Sequence, residues 1–193
     1  HLPLDVWIET RDDLSDAFQG RCASVELAAL VDGCPRFEVP RQYLFDMLDG
    51  ADWWIRTRRV ESFDDLLVLA YRLSGAPLVA AVPIVGAVEE GYEVPAICCG
   101  QAILLTQSLA NCVEQLKTNR SLLPEADFKE HEIDLTRLQM RQSSPGLEHF
   151  VRQYCRRIEG LYRRGGQLLN YLDFDGRRSL TSLLGWHWKM LVK

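Results

Sequence analysis

The stretch GQAILLTQSLANCVEQLKTNRSLLP, residues 100–124, decides the fold. Together with the residues just before it, the span 96–116 is apolar on most sides. That is the pattern of a helix enclosed by others at the centre of a bundle, not of a surface helix with one wet face. Residues 119–124 end it. Outward from there, apolar residues recur at helical spacing nearly throughout, and no run alternates apolar and polar residues long enough to demand a strand. The chain is therefore expected to be all-α.

On the N-terminal side, residues 4–18 carry apolar side chains at Leu4, Ile8, Leu14 and Phe18, with Gly20 as a stop. Residues 24–31 read as a short apolar helix closed by Asp32 and Gly33, with Pro35 forbidding its continuation. Pro40 can start the next helix, whose buried stripe is Tyr43, Leu44, Met47 and Leu48. Ser62 followed by Phe63, Asp64 and Asp65 is an N-cap with acids in the first turn, where the macrodipole favours them. The long helix it starts passes Leu66, Leu69, Leu73 and the small residues Ser74, Gly75 and Ala76 before Pro77 and Pro83 bend or interrupt it. On the C-terminal side, 145–172 and 175–191 read as two closing helices.

At 193 residues and 47% hydrophobic, the chain can bury one sizeable core and is expected to be one domain, 1–193. The net charge of −5 argues against nucleic acid as a partner. That charge is uneven: from Pro145 onward nine Lys/Arg face four acids, leaving the first 144 residues at −10. The basic end is a solvated helix face or a surface that attracts an anionic membrane or an acidic partner. No run of 18 uninterrupted apolar residues occurs, and the closest, 76–88, holds Pro77, Pro83 and Gly86. A soluble, cytoplasmic protein with at most peripheral membrane contact is expected. The six cysteines show no CxxC pair and no zinc-finger partner, and read as small buried side chains of a reducing compartment.

Several segments, taken in order, resemble the squalene/phytoene synthase family, the head-to-head branch of the all-helical isoprenoid synthases. PRQYLFDMLDGADWWI, from Pro40, is similar to the family's "(I/L)P…F..LI.GM..DL" helix, and RVESFDDL, from Arg59, to its "RY.TF.DL". LAYRLSG, from Leu69, resembles "YC(Y/H).VAG", and residues 100–124 resemble "G.A.QLTNILRDV.ED..RGR.YLP". RQYCRRIEGLYRRG, from Arg152, is similar to the "A...Y..G" helix. The resemblance implies an isoprenoid-synthase helical bundle around a central apolar cavity. It also places His1 just after the family's first aspartate motif, so the chain is expected to lack the family's N-terminal helices.

The departures fall on the chemistry. A head-to-head synthase ionises an allylic diphosphate whose leaving group is neutralised by magnesium held on two facing helices, and magnesium wants hard oxygen ligands, normally carboxylates. The ungapped register places Asn111 and Gln115 on the two aspartates of the second motif. Both are amides, so two formal charges are gone. Glu114 matches the family's glutamate, but Ala110 stands where an arginine is usual, and only Arg120 of "RGR" remains. Leu69 replaces the first tyrosine of "YC", Tyr71 keeps an aromatic, and Trp54 occupies the aspartate of "GM..D". The resemblance thus implies ligand-binding positions at Tyr71, Gln107, Asn111, Glu114, Gln115 and Arg120. Without the family, Asn111 and Gln115 are ordinary polar helix positions.

Asp12, Asp13 and Asp16 literally spell DDxxD, and Asp12 and Asp16 share a helix face, so they are weak candidates for a metal; a solvated acidic face is the plainer reading. His1, His131, His149 and His187 are scattered, with no HExxH and no nucleophile beside them. Trp53, Trp54, Trp186 and Trp188 are expected in the core or lining a groove. The expectation is a family scaffold, impaired in catalysis, that binds a prenyl diphosphate, another apolar ligand or a protein partner. The alternative is an active Mg-dependent head-to-head prenyltransferase drawing on an aspartate motif upstream of His1.

Overall fold

The computed structural model describes residues 4–57 and 59–192. Among the described residues eleven α-helices run in chain order: α1 (Leu4–Phe18), α2 (Val25–Arg36), α3 (Arg41–Thr57), α4 (Phe63–Ala70), α5 (Ala76–Val85), α6 (Glu93–Ala110), α7 (Cys112–Lys117), α8 (Glu125–Glu130), α9 (Leu135–Gln139), α10 (Pro145–Gly165) and α11 (Phe174–Leu191). A π-helical turn, Tyr71–Gly75, joins α4 to α5, and a 3₁₀ turn, Gly166–Tyr171, joins α10 to α11. Among the described residues there is no strand, only isolated bridges pairing Arg59 with Ser121 and Ala87 with Leu172. The all-α class is as expected.

The apolar helix of the opening stretch is the axis of the bundle. α6 packs against α10, the π-helical turn, α5 and α11, and buries Ala96, Cys98, Cys99, Ala102 and Leu105. Two glycines let its neighbours come this close. A Cβ on Gly100 would stand 2.5 Å from the carbonyl carbon and oxygen of Ser74, and one on Gly165 would stand 2.7 Å from Cys99 Sγ. The Cys99 thiol donates to Gly165 O at 3.0 Å, and burial pushes its pKa up to about 12, so it is an inert packing group.

Local chemistry accounts for most boundaries. Ser62 forms a full capping box with Asp65: its hydroxyl accepts from Asp65 N–H while the Asp65 carboxylate accepts from Ser62 N–H. The predicted bend at Pro77 takes the form of the π turn, in which Ala76 N–H reaches back to Tyr71 O and Pro77 falls in the first turn of α5, where no N–H is needed. Pro83 stays inside α5. Together Phe63–Val85 makes 23 helical residues of mean hydropathy 1.6, long and apolar enough by length and composition to cross a membrane. Counting only uninterrupted apolar runs missed it, because Asp64, Asp65 and Arg72 punctuate it.

Three predicted boundaries change. α2 continues through Gly33 and Pro35 to Arg36, because Pro35 falls in the last turn and Phe37 N–H closes it on Gly33 O. The central helix breaks at Asn111 (φ −103°, ψ 8°), whose N–H is shared between Gln107 O and Leu109 O. The helix expected over 145–172 ends its α portion at Gly165 and tightens into the 3₁₀ turn. The α1 span agrees with its prediction, although the side chains of Leu4 and Ile8 lie outside the described residues. Cysteine burial agrees only in part: Cys34, Cys98 and Cys99 are buried, Cys112 and Cys155 half-buried, and Cys22 is exposed.

α8 is pinned to α10 by a buried polar contact. Asp127, 8% exposed, accepts from Arg157 Nη1 at 3.4 Å, and the Arg157 guanidinium also lies 4.3 Å over the Phe63 ring. Burial raises the Asp127 pKa above its ordinary 3.8, and outweighs Arg157, which pulls it down. An acid with a raised folded pKa binds its proton more tightly in the folded state. Its contribution to stability is therefore fully present below the ordinary value and is lost as pH rises through the folded one. Asp127→Asn is expected to flatten that decline in melts taken from pH 4 upward; an unchanged pH profile would place the titration elsewhere.

Candidate functional site

Three of the residues that the sequence singled out lie along the C-terminal half of α6, the break after it and α7. Gln107, Asn111 and Gln115 are stacked one turn apart, with Asn111 N–H donating to Gln107 O at 2.9 Å and Gln115 N–H to Asn111 O at 3.0 Å. Four-residue spacing thus survives the break and keeps the three on one helical face. Asn111 is exposed there, and Gln115 is half-buried.

Two of these amides are engaged within the chain. Gln115 Oε1 accepts from Leu122 N–H at 3.1 Å, closing the loop that follows α7, while Gln115 O accepts from the Thr118 hydroxyl and from Arg120 N–H. Gln107 Nε2 lies 3.0 Å from His187 Nε2, and His187 Nδ1 lies 3.0 Å from Leu183 O. A carbonyl only accepts, so Nδ1 carries the imidazole proton and Nε2 accepts from the Gln107 amide. His187 is 3% exposed with both nitrogens satisfied, and it ties α11 to α6. One turn earlier the Thr106 hydroxyl donates to Ala102 O and shares a 3.0 Å hydrogen bond with the Tyr162 hydroxyl.

Other candidates point elsewhere. Glu114 is exposed and bonds Lys117 at 2.9 Å and Arg141 at 3.3 Å; the Lys117 ammonium first, then Arg141, hold its carboxyl below the usual range. Arg120 lies with its guanidinium carbon 5.4 Å from the centre of the Trp54 ring, a cation–π pair. Trp54 itself packs half-buried against the main core, in which Leu69 is 2% exposed. Tyr71 donates its hydroxyl to the Asp46 carboxylate on α3; burial, and then that carboxylate, push the phenol well above its ordinary pKa. Asp16 pairs with Arg21 at 2.6 Å, and among the described residues no group of three His, Cys, Asp or Glu side chains could hold a metal, Asp12, Asp13 and Asp16 included. His131 and His149 are brought edge to face at 5.3 Å, while His1 lies outside the described residues. Of the two places expected for Trp186 and Trp188, core or groove lining, the core is excluded: they are 60% and 39% exposed.

These groups do not fit magnesium. The motif face offers one exposed neutral amide and one amide oxygen already accepting a backbone N–H, where the ion needs several hard, charged oxygens. Burial and bonding that the sequence did not suggest centre on His187 and on the Trp54–Arg120 pair. The i, i+4 spacing of Leu183 and His187 was the available signal for the first. Nothing local signalled the second, because Trp54 and Arg120 meet only through the fold. The cavity of about 670 Å³ bordered by Phe37, Pro40, Pro83 and Tyr92 lies beside the α5–α6 loop, away from all of these.

Comparison with known proteins agrees with the all-α fold. The squalene/phytoene synthase family profile matches residues 4–188. Phytoene synthase 1, chloroplastic, of Arabidopsis thaliana is 32% identical over 133 residues, covering 66% of this chain and 31% of that protein. Phytoene synthase 3, chloroplastic, of Zea mays is 33% identical over 135 residues, with the same two coverages. The chain spans about a third of the length of these curated relatives. Among solved structures, squalene synthase HpnC from Alicyclobacillus acidocaldarius superimposes with a TM-score of 0.86 at 16% identity, over 98% of this chain and 71% of that one. A dehydrosqualene synthase in complex with ligand gives 0.85 at 20% identity, over 94% and 64%. At these identities the structural likeness shows the fold alone.

Proposed function

Since this chain belongs to the squalene/phytoene synthase family, we propose that it serves isoprenoid metabolism as a binding scaffold, holding a prenyl diphosphate or a protein partner without ionising the diphosphate. The observation that carries this reading is the engagement of the motif face: Gln115 closes the α7 loop through Leu122, and Gln107 docks α11 through His187. Ionisation needs preorganised positive charge at the leaving group, and in the second aspartate motif the amides of Asn111 and Gln115 stand in place of the two carboxylates that would hold a metal there. Arg120, which could meet an anion directly, is held over Trp54 instead. The packing glycines that let the helices approach are kept, so the scaffold persists where the chemistry does not.

Binding is tested with farnesyl diphosphate and intrinsic tryptophan fluorescence, to which Trp53 and Trp54 contribute. A saturable change of equal midpoint in magnesium and in EDTA is expected. Binding that appears only with magnesium contradicts the proposal.

A further inference from the structure

α11 presents two unlike faces. Leu180, Leu184, His187 and Leu191, at i, i+4, i+7 and i+11, turn inward; Leu180 and His187 are buried, and Leu184 and Leu191 pack half-buried against the core. On the outside, Phe174, Arg178, Lys189 and Val192 fall within ~60° of arc at 3.6 residues per turn, flanked by Arg177 and Trp186. Phe174 is 73% exposed, Trp186 60% and Val192 61%. The Arg178 guanidinium lies 5.7 Å from the centre of the Phe174 ring, and Arg177 Nε is anchored to Leu172 O at 2.8 Å. Within α11 three cations face one acid, Asp175, while the preceding Asp173 is occupied as the N-cap, accepting from Gly176 N–H.

From this face we infer that α11 docks the protein on an anionic lipid bilayer. Large apolar and aromatic side chains interleaved with Lys and Arg on one outward stripe are what a helix lying in a bilayer interface requires: rings enter the headgroup boundary while cations meet lipid phosphates. The helix carries a net positive charge on a chain whose formal charge is −5, so this face in particular is drawn to an anionic surface. The surface apolar residues are side by side with the cations, as interfacial binding needs, and are not set apart in a closed groove as peptide recognition would need. This inference concerns the outside of the bundle and stands or falls independently of the proposed function, which concerns α6.

The test is flotation of the full chain with phosphatidylcholine vesicles and with vesicles containing about a third phosphatidylglycerol, each at low and high salt. Binding to the phosphatidylglycerol vesicles at low salt, and its loss at high salt, is expected. Arg178→Gln with Lys189→Gln should weaken it about 25-fold, about fivefold for each cation removed. Phe174→Ser with Trp186→Ser should weaken it further, with unchanged circular dichroism since all four side chains are exposed. Absence of binding to the anionic vesicles, equal binding by the Arg178/Lys189 variant, or capture by polyglutamate in place of vesicles would each overturn the inference.

Discussion

Gly100→Ala is expected to cost about 3 kcal/mol or more and to lower the melting temperature by roughly 6–12 °C. The added Cβ would sit 2.5 Å from the carbonyl carbon and oxygen of Ser74 and 2.6 Å from Gly75 Cα. All three obstacles are backbone atoms of the π-helical turn. They cannot swing aside as a side-chain end would, so either α6 shifts along the bundle or the turn is rebuilt. Gly160→Ala in α10 is the control: nothing lies within 4 Å of that Cβ, and relief of the glycine penalty should add up to about 1 kcal/mol. Thermal melts of the two variants beside the parent decide it. A Gly100→Ala protein that melts with the parent would mean that α6 and the turn are not in the contact described.

The second large effect is a gain. Asn111→Asp combined with Gln115→Glu restores two negative charges one turn apart, and the longer of the two new acids keeps both the length and the acceptor oxygen that hold Leu122 N–H. In the absence of metal the variant should lose up to about 1 kcal/mol, from like-charge repulsion across one turn together with desolvation of the half-buried carboxylate introduced in place of Gln115. With magnesium it should gain about 2.7 kcal/mol when the free ion is a hundredfold above its dissociation constant, which recovers the loss and leaves it roughly 1.7 kcal/mol or more above the parent. Sodium chloride at matched ionic strength should not reproduce the shift. Should the parent show the same magnesium-dependent rise in melting temperature, charge at these two positions is not what the family site has lost.

Much of this fold could be read from local chemistry. The apolar girth of residues 96–116 placed α6 at the centre, and Ser62 with its trailing acids located the start of α4 to the residue. What escaped the sequence was set by contacts between distant segments. α8 and α9 are too short to show a period, and are held by the Asp127–Arg157 contact and by the Asp134 cap. The break at Asn111 depends on one N–H shared between two carbonyls, which no residue type announces. At the site, register alone identified Asn111 and Gln115 as amides in place of acids. That Gln115 would serve the loop after α7, that Gln107 would meet His187 eighty positions away, and that Trp54 would receive Arg120 followed only from packing.

Whether the α6 face ionises an allylic diphosphate, which we propose it does not, is tested most directly by turnover. Farnesyl diphosphate or geranylgeranyl diphosphate is incubated with the protein and magnesium, and released inorganic diphosphate is measured. The account predicts release no faster than the protein-free control. Release at about 1–1,000 s⁻¹, the range typical of enzymes, would contradict it.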